Sequence, residues 1–178
     1  DALVRDLLVL ARTDAMEEPA EREQLDLADV VAECVSSAQR SRPDLRFTVD
    51  AEECFLHGDA PALRSLVTNL LDNAARHART AVSTRLTVRD HLAHVAVDDD
   101  GTGLRPEDCE RVFERFVRLD ESRDRDEGGS GLGLSIVRAV AVAHGGEVVG
   151  EGVEPDVGHV LGVPGQRDTR SEEHTSEL

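Results

Sequence analysis

Residues 84–98, TRLTVRDHLAHVAVD, predict two strands joined by a tight turn. Side chains alternate between the two faces of a strand, so Leu86 and Val88 share one face of the first strand. Val95 and Val97 likewise share one face of the second strand. A tight turn joins antiparallel strands, whereas parallel strands need a long crossover. The hairpin therefore excludes an all-parallel sheet.

The other elements are predicted from hydrophobic periodicity and turn residues. Predicted strands lie at 24–27, 45–49, 54–58, 146–151 and 158–164, and predicted helices at 28–40, 60–77, 107–116 and 131–144. Asp59 and Pro61 are typical of a helix start. We therefore expect the α+β class, as a two-layer α/β sandwich with a mixed sheet of about five strands and about three helices on one face.

The two ends differ from the central domain, which is predicted to span residues 17–166. Leu3, Leu7 and Leu10 have the spacing of a coiled-coil seam, so residues 1–16 are predicted to be the end of a longer helix. Residues 167–178 form a polar tail, in which RSEEHTSEL at 170–178 is aperiodic and resembles a translated sequencing adapter. They are expected to be non-native or disordered.

Charge and composition exclude several classes of protein. The net charge of −17 over 178 residues argues against nucleic acid or an anionic membrane surface as a direct partner. The three cysteines have no disulfide or zinc spacing and indicate a reducing compartment. No apolar run is long enough to cross a membrane. Four Phe and no Trp or Tyr leave a core of Leu, Val and Ala.

Three aspartates follow the second strand of the hairpin directly, in DDDGTG at 98–103. By alternation, Asp99 continues the apolar face of Val95 and Val97, where a carboxylate needs a donor. The amino group of adenine is such a donor, and Gly101 and Gly103 would let a flat ring approach the backbone. The alternative is an ordinary Asp-Gly turn whose residues are explained by local chemistry alone.

A polar stripe runs along the predicted helix at 60–77, opposite its leucines. Asn69, Asn73 and Arg76 are spaced i, i+4 and i+7, and His77 follows. Asn is a poor helix former, so two Asn residues on one face lower the intrinsic stability of the helix. Amide oxygens are suitable ligands for Mg²⁺, and the two basic residues can donate hydrogen bonds to phosphate. The alternative is the solvated face of an amphipathic helix.

A glycine cluster, GGSGLGL at 128–134, precedes the last predicted helix. Free N–H groups and the helix dipole at such a terminus attract phosphate. The cluster is neither a Walker loop nor a dinucleotide fingerprint, and its alternative interpretation is a flexible hinge. The preceding stretch, 118–130, is charged and has no apolar stripe, so we predict a lid that is disordered without nucleotide.

Together these motifs resemble the ATP-binding catalytic domain of bacterial sensor histidine kinases, within the superfamily of gyrase, heat-shock chaperone and mismatch-repair ATPases. NLLDNAARHA resembles the N box, DDGTGL the first glycine box, VFERFVRLD the F box and GSGLGLSIV the second glycine box. DLLVLARTDA resembles the end of the dimerisation helix. The resemblance covers roughly residues 3–164 and implies the Bergerat-type ATP-binding fold.

The resemblance implies a role for each matching residue. Asn73 would be the magnesium ligand and Asp99 the adenine reader, while Asn69, Asn73 and Arg76 would serve catalysis. The residues expected to bind Mg-ATP are Asn69, Asn73, Arg76, His77, Asp99, Gly101, Gly103, Leu104, Arg118, Gly129, Ser130, Gly131, Leu132, Gly133 and Leu134.

One position distinguishes kinases from ATPases within this superfamily. The ATPases activate water with a Glu four residues before the metal-binding Asn, and here that position is Asn69, which cannot act as a base. The resemblance therefore implies a protein-histidine kinase that transfers the γ-phosphoryl to a histidine. Two alternatives are a non-catalytic nucleotide-sensing module and an anti-sigma-type serine kinase of the same fold. The Asn69 amide and the leading coiled helix count against the serine kinase.

None of the seven histidines has an acceptor-like context, so the acceptor is expected upstream of Asp1, and this piece is expected to be inactive alone in autophosphorylation. His144 precedes Gly145 and Gly146, where a cation suits the helix dipole. The implied partners are the dimerisation domain, to which residues 1–16 belong, and a response regulator, with a homodimer in the full-length protein. The domain is expected in the cytoplasm, with membrane anchoring only through upstream segments.

Overall fold

The computed structural model describes residues 22–117 and 131–150, and the backbone of 158–164. The predicted opening helix, the predicted lid and the polar tail lie outside the described residues. So do three of the expected nucleotide-binding residues, which are Arg118, Gly129 and Ser130.

The strands form one large and one small sheet. The described strands are β1 (Glu23–Asp26), β2 (Arg46–Ala51), β3 (Phe55–Gly58), β4 (Ala81–Arg89), β5 (Leu92–Asp99), β6 (Glu147–Gly150) and β7 (Gly158–Pro164). Five of them form a sheet in the order β2-β4-β5-β7-β6, in which β2 and β4 are parallel and the other pairs are antiparallel. This confirms the mixed sheet. β1 and β3 pair separately in a small antiparallel sheet that was not foreseen.

In the described part of the chain, three α-helices pack on the sheet: α1 (Leu27–Ser41), α2 (Ala60–His77) and α3 (Gly133–Ala143). Asp26 and Asp59 cap α1 and α2, each accepting a hydrogen bond of 2.9 Å from a backbone N–H in the first turn. Such caps satisfy N–H groups that have no partner within the helix. The α2 helix has the predicted bounds, and it provides the crossover that the parallel pair β2–β4 requires.

The core lies between these helices and one face of the sheet. Every second residue is buried along most of β4 and β5. These buried residues are Val82, Thr84, Leu86, Val88, Ala93, Val95 and Val97. The face of α2 that meets them carries Leu63, Leu66, Val67, Leu70, Leu71 and Ala74, all buried. The core is thus built from aliphatic residues, as the scarcity of aromatic residues predicts.

The turn of the β4–β5 hairpin consists of Asp90 and His91, which have φ angles of 50° and 61°. Two residues with positive φ form the turn whose twist matches that of antiparallel strands. Asp and His tolerate this conformation better than β-branched residues do. The turn fixes the register in which Val82 lies opposite Asp99.

The predicted helix at 107–116 is wrong. The structure has two short 3-10 helices there, Pro106–Asp108 and Arg111–Phe113. Asp108 is buried, and its carboxylate accepts hydrogen bonds from Arg105 (2.8 Å) and Arg111 (3.1 Å). A buried carboxylate needs such donors. Of residues 107–116 only Asp108 and Phe113 are buried, so the segment has too little apolar burial to stabilise a continuous α-helix.

Thr84 is the buried core residue whose hydroxyl has no hydrogen-bond partner among the residues that the structure describes. Because an unsatisfied buried hydroxyl keeps its desolvation cost, Thr84→Val is expected to raise the free energy of unfolding by about 1–2 kcal/mol. Urea denaturation measures this change. Thr87→Val, on the opposite face of β4, is the control and should have a smaller effect. A less stable Thr84→Val would mean that the hydroxyl has a buried partner.

Candidate functional site

Asp99 is the last residue of β5 and lies at the rim of the core. Its neighbour across the sheet, Val82, is almost fully buried, while Asp99 itself is half-buried. One carboxylate oxygen accepts a hydrogen bond from the backbone N–H of Gly101 (2.9 Å). Burial raises the pKa of the Asp99 carboxyl, since the charged form is poorly solvated there. The strand therefore ends with a carboxylate that has capacity for a further donor.

Asp100 has a different role, which the sequence analysis did not assign. Its carboxylate accepts hydrogen bonds from the backbone N–H groups of Arg79 (2.7 Å), Thr80 (2.9 Å) and Ala81 (3.2 Å), and from the Thr80 hydroxyl (2.5 Å). The Thr80 hydrogen bonds are the main reason that the pKa of Asp100 is lowered. Asp100 thus fastens the α2–β4 connection to the end of β5.

Gly101 allows the first glycine box to pack against the end of α2. A Cβ atom at Gly101 would overlap the carbonyl oxygen of His77 and would lie 2.5 Å from Asp99 Oδ1. No other residue fits without moving one of these groups. The absence of a side chain therefore brings Asp99 next to the C-terminal turn of α2.

The predicted polar stripe of α2 points away from the core. Asn69 and Asn73 are half-buried, and Arg76 and His77 are exposed. The side-chain nitrogen of Asn69 donates to the Ser65 carbonyl (2.9 Å), which leaves its amide oxygen directed away from the helix. The stripe lies on the same end of α2 that meets Gly101.

The N-terminal end of α3 lies directly against Asn69. A Cβ atom at Gly133 would be 2.8 Å from Asn69 Oδ1. Among the described residues, no side chain caps this end of α3. Its first-turn N–H groups have no partner within the helix, and the close approach at Gly133 places them beside the Asn69 amide oxygen.

The residues just before α3 reach the F-box segment. Gly131 has a φ of +71°, which favours glycine, and its carbonyl accepts a hydrogen bond from the N–H of Phe116 (2.9 Å). Leu132 is buried in the core and Leu134 is half-buried. The side chain of Leu132 therefore packs in the core.

The structure thus brings three predicted motifs to one place. The Asp99–Gly101 turn and the start of α3 both pack against the half of α2 that carries the stripe, at His77 and at Asn69. Gly103 (φ +69°) is exposed and Leu104 is half-buried just beyond the turn. At Gly101 and Gly133 the missing Cβ is what allows this close packing on α2. Among the described residues there is no cluster of three His, Cys, Asp or Glu that could hold a metal.

This fold and this arrangement define an α/β-sandwich nucleotide-binding domain. The family model of histidine kinase-, DNA gyrase B- and HSP90-like ATPases matches residues 58–171. The chain belongs to this family, which confirms the resemblance and the expected ATP-binding fold. Within the described residues, no helix is both long and apolar enough to cross a membrane.

Individual relatives are sensor kinases. The sensor histidine kinase CusS of Escherichia coli O6:H1 is 40% identical over 152 residues, which are 82% of this chain and 31% of the relative. A solved structure of the mycobacterial sensor histidine kinase MprB has 31% identity and a TM-score of 0.73 and covers 82% of this chain and 99% of that one. Full-length ShkA in complex with AMPPNP has 25% identity, a TM-score of 0.75 and coverages of 93% and 36%. The chain spans about a third of the length of the curated relatives it matches.

His144 is the residue that sequence reasoning placed correctly and interpreted wrongly. It was expected to be a cation at the end of the last helix. The structure buries it, and burial lowers its pKa. Its ring accepts a hydrogen bond from the N–H of Asp59, 85 positions away, which no local pattern reveals.

Gly133→Ala is expected to weaken ATP binding roughly tenfold, or about 1.4 kcal/mol. The new methyl group would displace the Asn69 amide, which is the most easily moved group near it. Stability should change little, since Ala is the better helix former. Calorimetric titration with ATP measures the effect. In an Asn69→Ala background the same substitution should cause no further loss, and an equal loss in both backgrounds would contradict the contact.

Proposed function

We propose that the chain is the ATP-binding catalytic domain of a two-component sensor histidine kinase. It transfers the γ-phosphoryl of Mg-ATP to a histidine on a dimerisation domain, for relay to an aspartate of a response regulator. Residues 1–16 belong to the dimerisation hairpin, 17–166 form the ATP-binding domain, and 167–178 are a tail outside it. Family membership and the names of the relatives support this proposal.

Asp99 is proposed to recognise adenine. Its half-buried carboxylate accepts one hydrogen bond from Gly101 and can accept another from the exocyclic amino group of the base. Guanine carries a carbonyl oxygen at that position, and two acceptors repel each other. The close packing of Gly101 on the end of α2 holds the Asp99 carboxylate in this position.

Asn73 is proposed to be the protein ligand of magnesium, with Asn69 and Arg76 beside the phosphates. An amide oxygen is a neutral hard ligand, and Mg²⁺ keeps most of its other positions for water and phosphate oxygens. When bound, the ion bridges and neutralises phosphate oxygens. Arg76 and His77 are exposed at the end of the stripe and can approach the phosphate chain from solvent.

The single observation that carries the kinase assignment is the identity of residue 69. Asn69 faces the start of α3, where the phosphates are proposed to lie, and its amide cannot accept a proton from water. Asp72 is the carboxylate nearest to this position along the helix, and it is exposed. It is about 100° around the helix from Asn73, the proposed metal ligand. The γ-phosphoryl is therefore preserved for an external nucleophile.

The remaining partners follow from the proposed reaction. The nucleophile is a histidine of the dimerisation domain, and a homodimer brings that domain to the ATP site. The ATP-binding domain acts on the cytoplasmic side, where ATP is available, and segments upstream of it anchor the protein to the membrane. The net charge of −17 supports the absence of a nucleic-acid partner.

Incubation with γ-labelled ATP tests the function. The 178-residue chain alone should release little phosphate and accumulate no acid-labile phosphoprotein. A fusion of residues 17–166 to the dimerisation domain of a related sensor kinase should form acid-labile phosphohistidine. Robust hydrolysis by the chain alone would place the protein among the ATPases.

Asn69→Glu is the matched variant, because it places a general base at the position where the ATPases of this superfamily carry one. A general base accelerates such a reaction by a factor of about 10²–10⁴. It should hydrolyse ATP faster than the unmodified chain, and Asn69→Gln should not. If all three hydrolyse ATP equally slowly, residue 69 does not decide between the two chemistries.

A further inference from the structure

The C-terminal end of α3 is joined to the N-terminal end of α2 by one buried side chain, His144. Its Nε2 accepts a hydrogen bond from the backbone N–H of Asp59 (3.1 Å), the N-cap residue of α2. Its Nδ1 lies 2.8 Å from the carbonyl oxygen of Val140. A backbone N–H can only donate, so Nε2 is unprotonated and Nδ1–H donates to Val140. His144 is therefore a neutral ring in the folded protein.

The same two helices touch at a second point, where Gly133 meets Asn69. From Asp59 to Asn69 there are ten residues, or about 15 Å of helix, and from Gly133 to His144 eleven, or about 16 Å. The helices therefore run antiparallel with matched lengths between the two contacts. A shift of α3 at His144 is transmitted along a rigid helix to Gly133.

The ring of His144 sits in a space that only glycine provides. A Cβ atom at Gly58 would lie 3.2 Å from His144 Cδ2 and closer still to Leu56 and Leu63. The carbonyl of Ala143 accepts a hydrogen bond from Arg22 (2.7 Å), which holds the end of α3 from its other side. The ring has little freedom to move without moving the helix.

We propose that His144 is a positioning residue for the nucleotide site: by holding the end of α3 to the N-cap of α2, it sets where the phosphate-facing start of α3 lies relative to Asn69 and Asn73. The inference rests on the proposed site between α2 and α3. His144 is about 16 Å of helix away from that site, so it acts through α3 and not by contact with ATP.

The protonation state of His144 distinguishes this positioning role from a purely structural one. Protonation would place an N–H at Nε2 against the N–H of Asp59 and break the contact. Burial lowers the pKa of His144, and the charged groups that face it among the described residues are Arg22 and Asp59. Because the folded pKa lies below the unfolded value of about 6.5, the contact is complete above that value. It is lost as the pH falls through the folded pKa.

Three variants of the 178-residue chain test the proposal. His144→Phe keeps the ring but removes both hydrogen bonds, and its ATP affinity should fall roughly tenfold at pH 8, about 1.4 kcal/mol. His144→Gln can place an amide oxygen near Nε2 and should retain affinity within about threefold, less than 1 kcal/mol. His57→Gln is the control, since His57 is exposed on the neighbouring strand.

The pH profile of ATP affinity separates positioning from simple folding. Protonation of the nucleotide affects every variant alike, as phosphate titrates near pH 6. As the pH is lowered from 8 through the folded pKa of His144, the unmodified chain and His57→Gln should lose more affinity than His144→Gln does. Identical profiles for all three would overturn the proposal.

Amide hydrogen exchange in the nucleotide-free protein provides a readout that needs no ATP. Exchange at residues 133–137 should increase in His144→Phe, while α1 stays protected. If the unmodified chain does not bind ATP, the proposed function fails. If it binds ATP and His144→Phe binds equally with unchanged exchange, only the role of His144 fails.

Discussion

Asp99→Asn is expected to weaken ATP binding by about 1.5–3 kcal/mol, roughly 10- to 150-fold, because it removes a charged hydrogen-bond acceptor. The preference for ATP over GTP should disappear, since an amide can turn either its donor or its acceptor towards the base. Calorimetric titration with ATP and with GTP measures both effects. Equal affinities of the unmodified protein for the two nucleotides would show that Asp99 does not recognise adenine.

The same substitution is expected to stabilise the nucleotide-free protein. The raised pKa of Asp99 means that folding disfavours its charged form, so its charge reduces stability at pH 7. The cost is present above the folded pKa and disappears as the pH falls through that value towards the unfolded one. The melting temperature of Asp99→Asn should therefore exceed that of the unmodified protein at pH 7. Asp90→Asn, in the exposed turn at the other end of the hairpin, is the control with the same charge change.

Asn73→Ala is expected to abolish the effect of magnesium on ATP affinity. The amide oxygen of Asn73 is the proposed protein ligand, and without it the ion would be held by phosphate and water alone. Titrations with ATP in the presence of Mg²⁺ and of EDTA should differ for the unmodified protein and coincide for the variant. The free energy of unfolding should fall by no more than about 1 kcal/mol, as Ala is the better helix former.

Asn69→Ala is the matched control on the same helix, one turn away. Magnesium should still strengthen ATP binding in this variant, because Asn69 is proposed to face phosphate and α3 instead of the ion. An equal magnesium effect in Asn73→Ala and the unmodified protein would contradict the ligand assignment.

Local patterns predicted the elements that local physics controls. The period of two along residues 84–98 led to β4 and β5 and placed Asp99 on the core side of the strand end. Asp59, Pro61 and the leucine stripe predicted the bounds of α2, since caps and periodicity act within a few residues. At 107–116 the same reasoning failed, because only Asp108 and Phe113 of this segment are buried, which is too little packing to stabilise a continuous helix.

The sequence by itself determined the fold class, the aliphatic core and the polar residues from which the site is assembled. Only the tertiary structure decided the parallel pairing of β2 with β4, the fastening of Asp100 to the α2–β4 connection and the neutral state of His144. Each of these depends on groups that are distant in sequence, such as His144 and Asp59. A local pattern does not contain the partner of a hydrogen bond formed 85 positions away, so periodicity locates a side chain but does not determine what it meets.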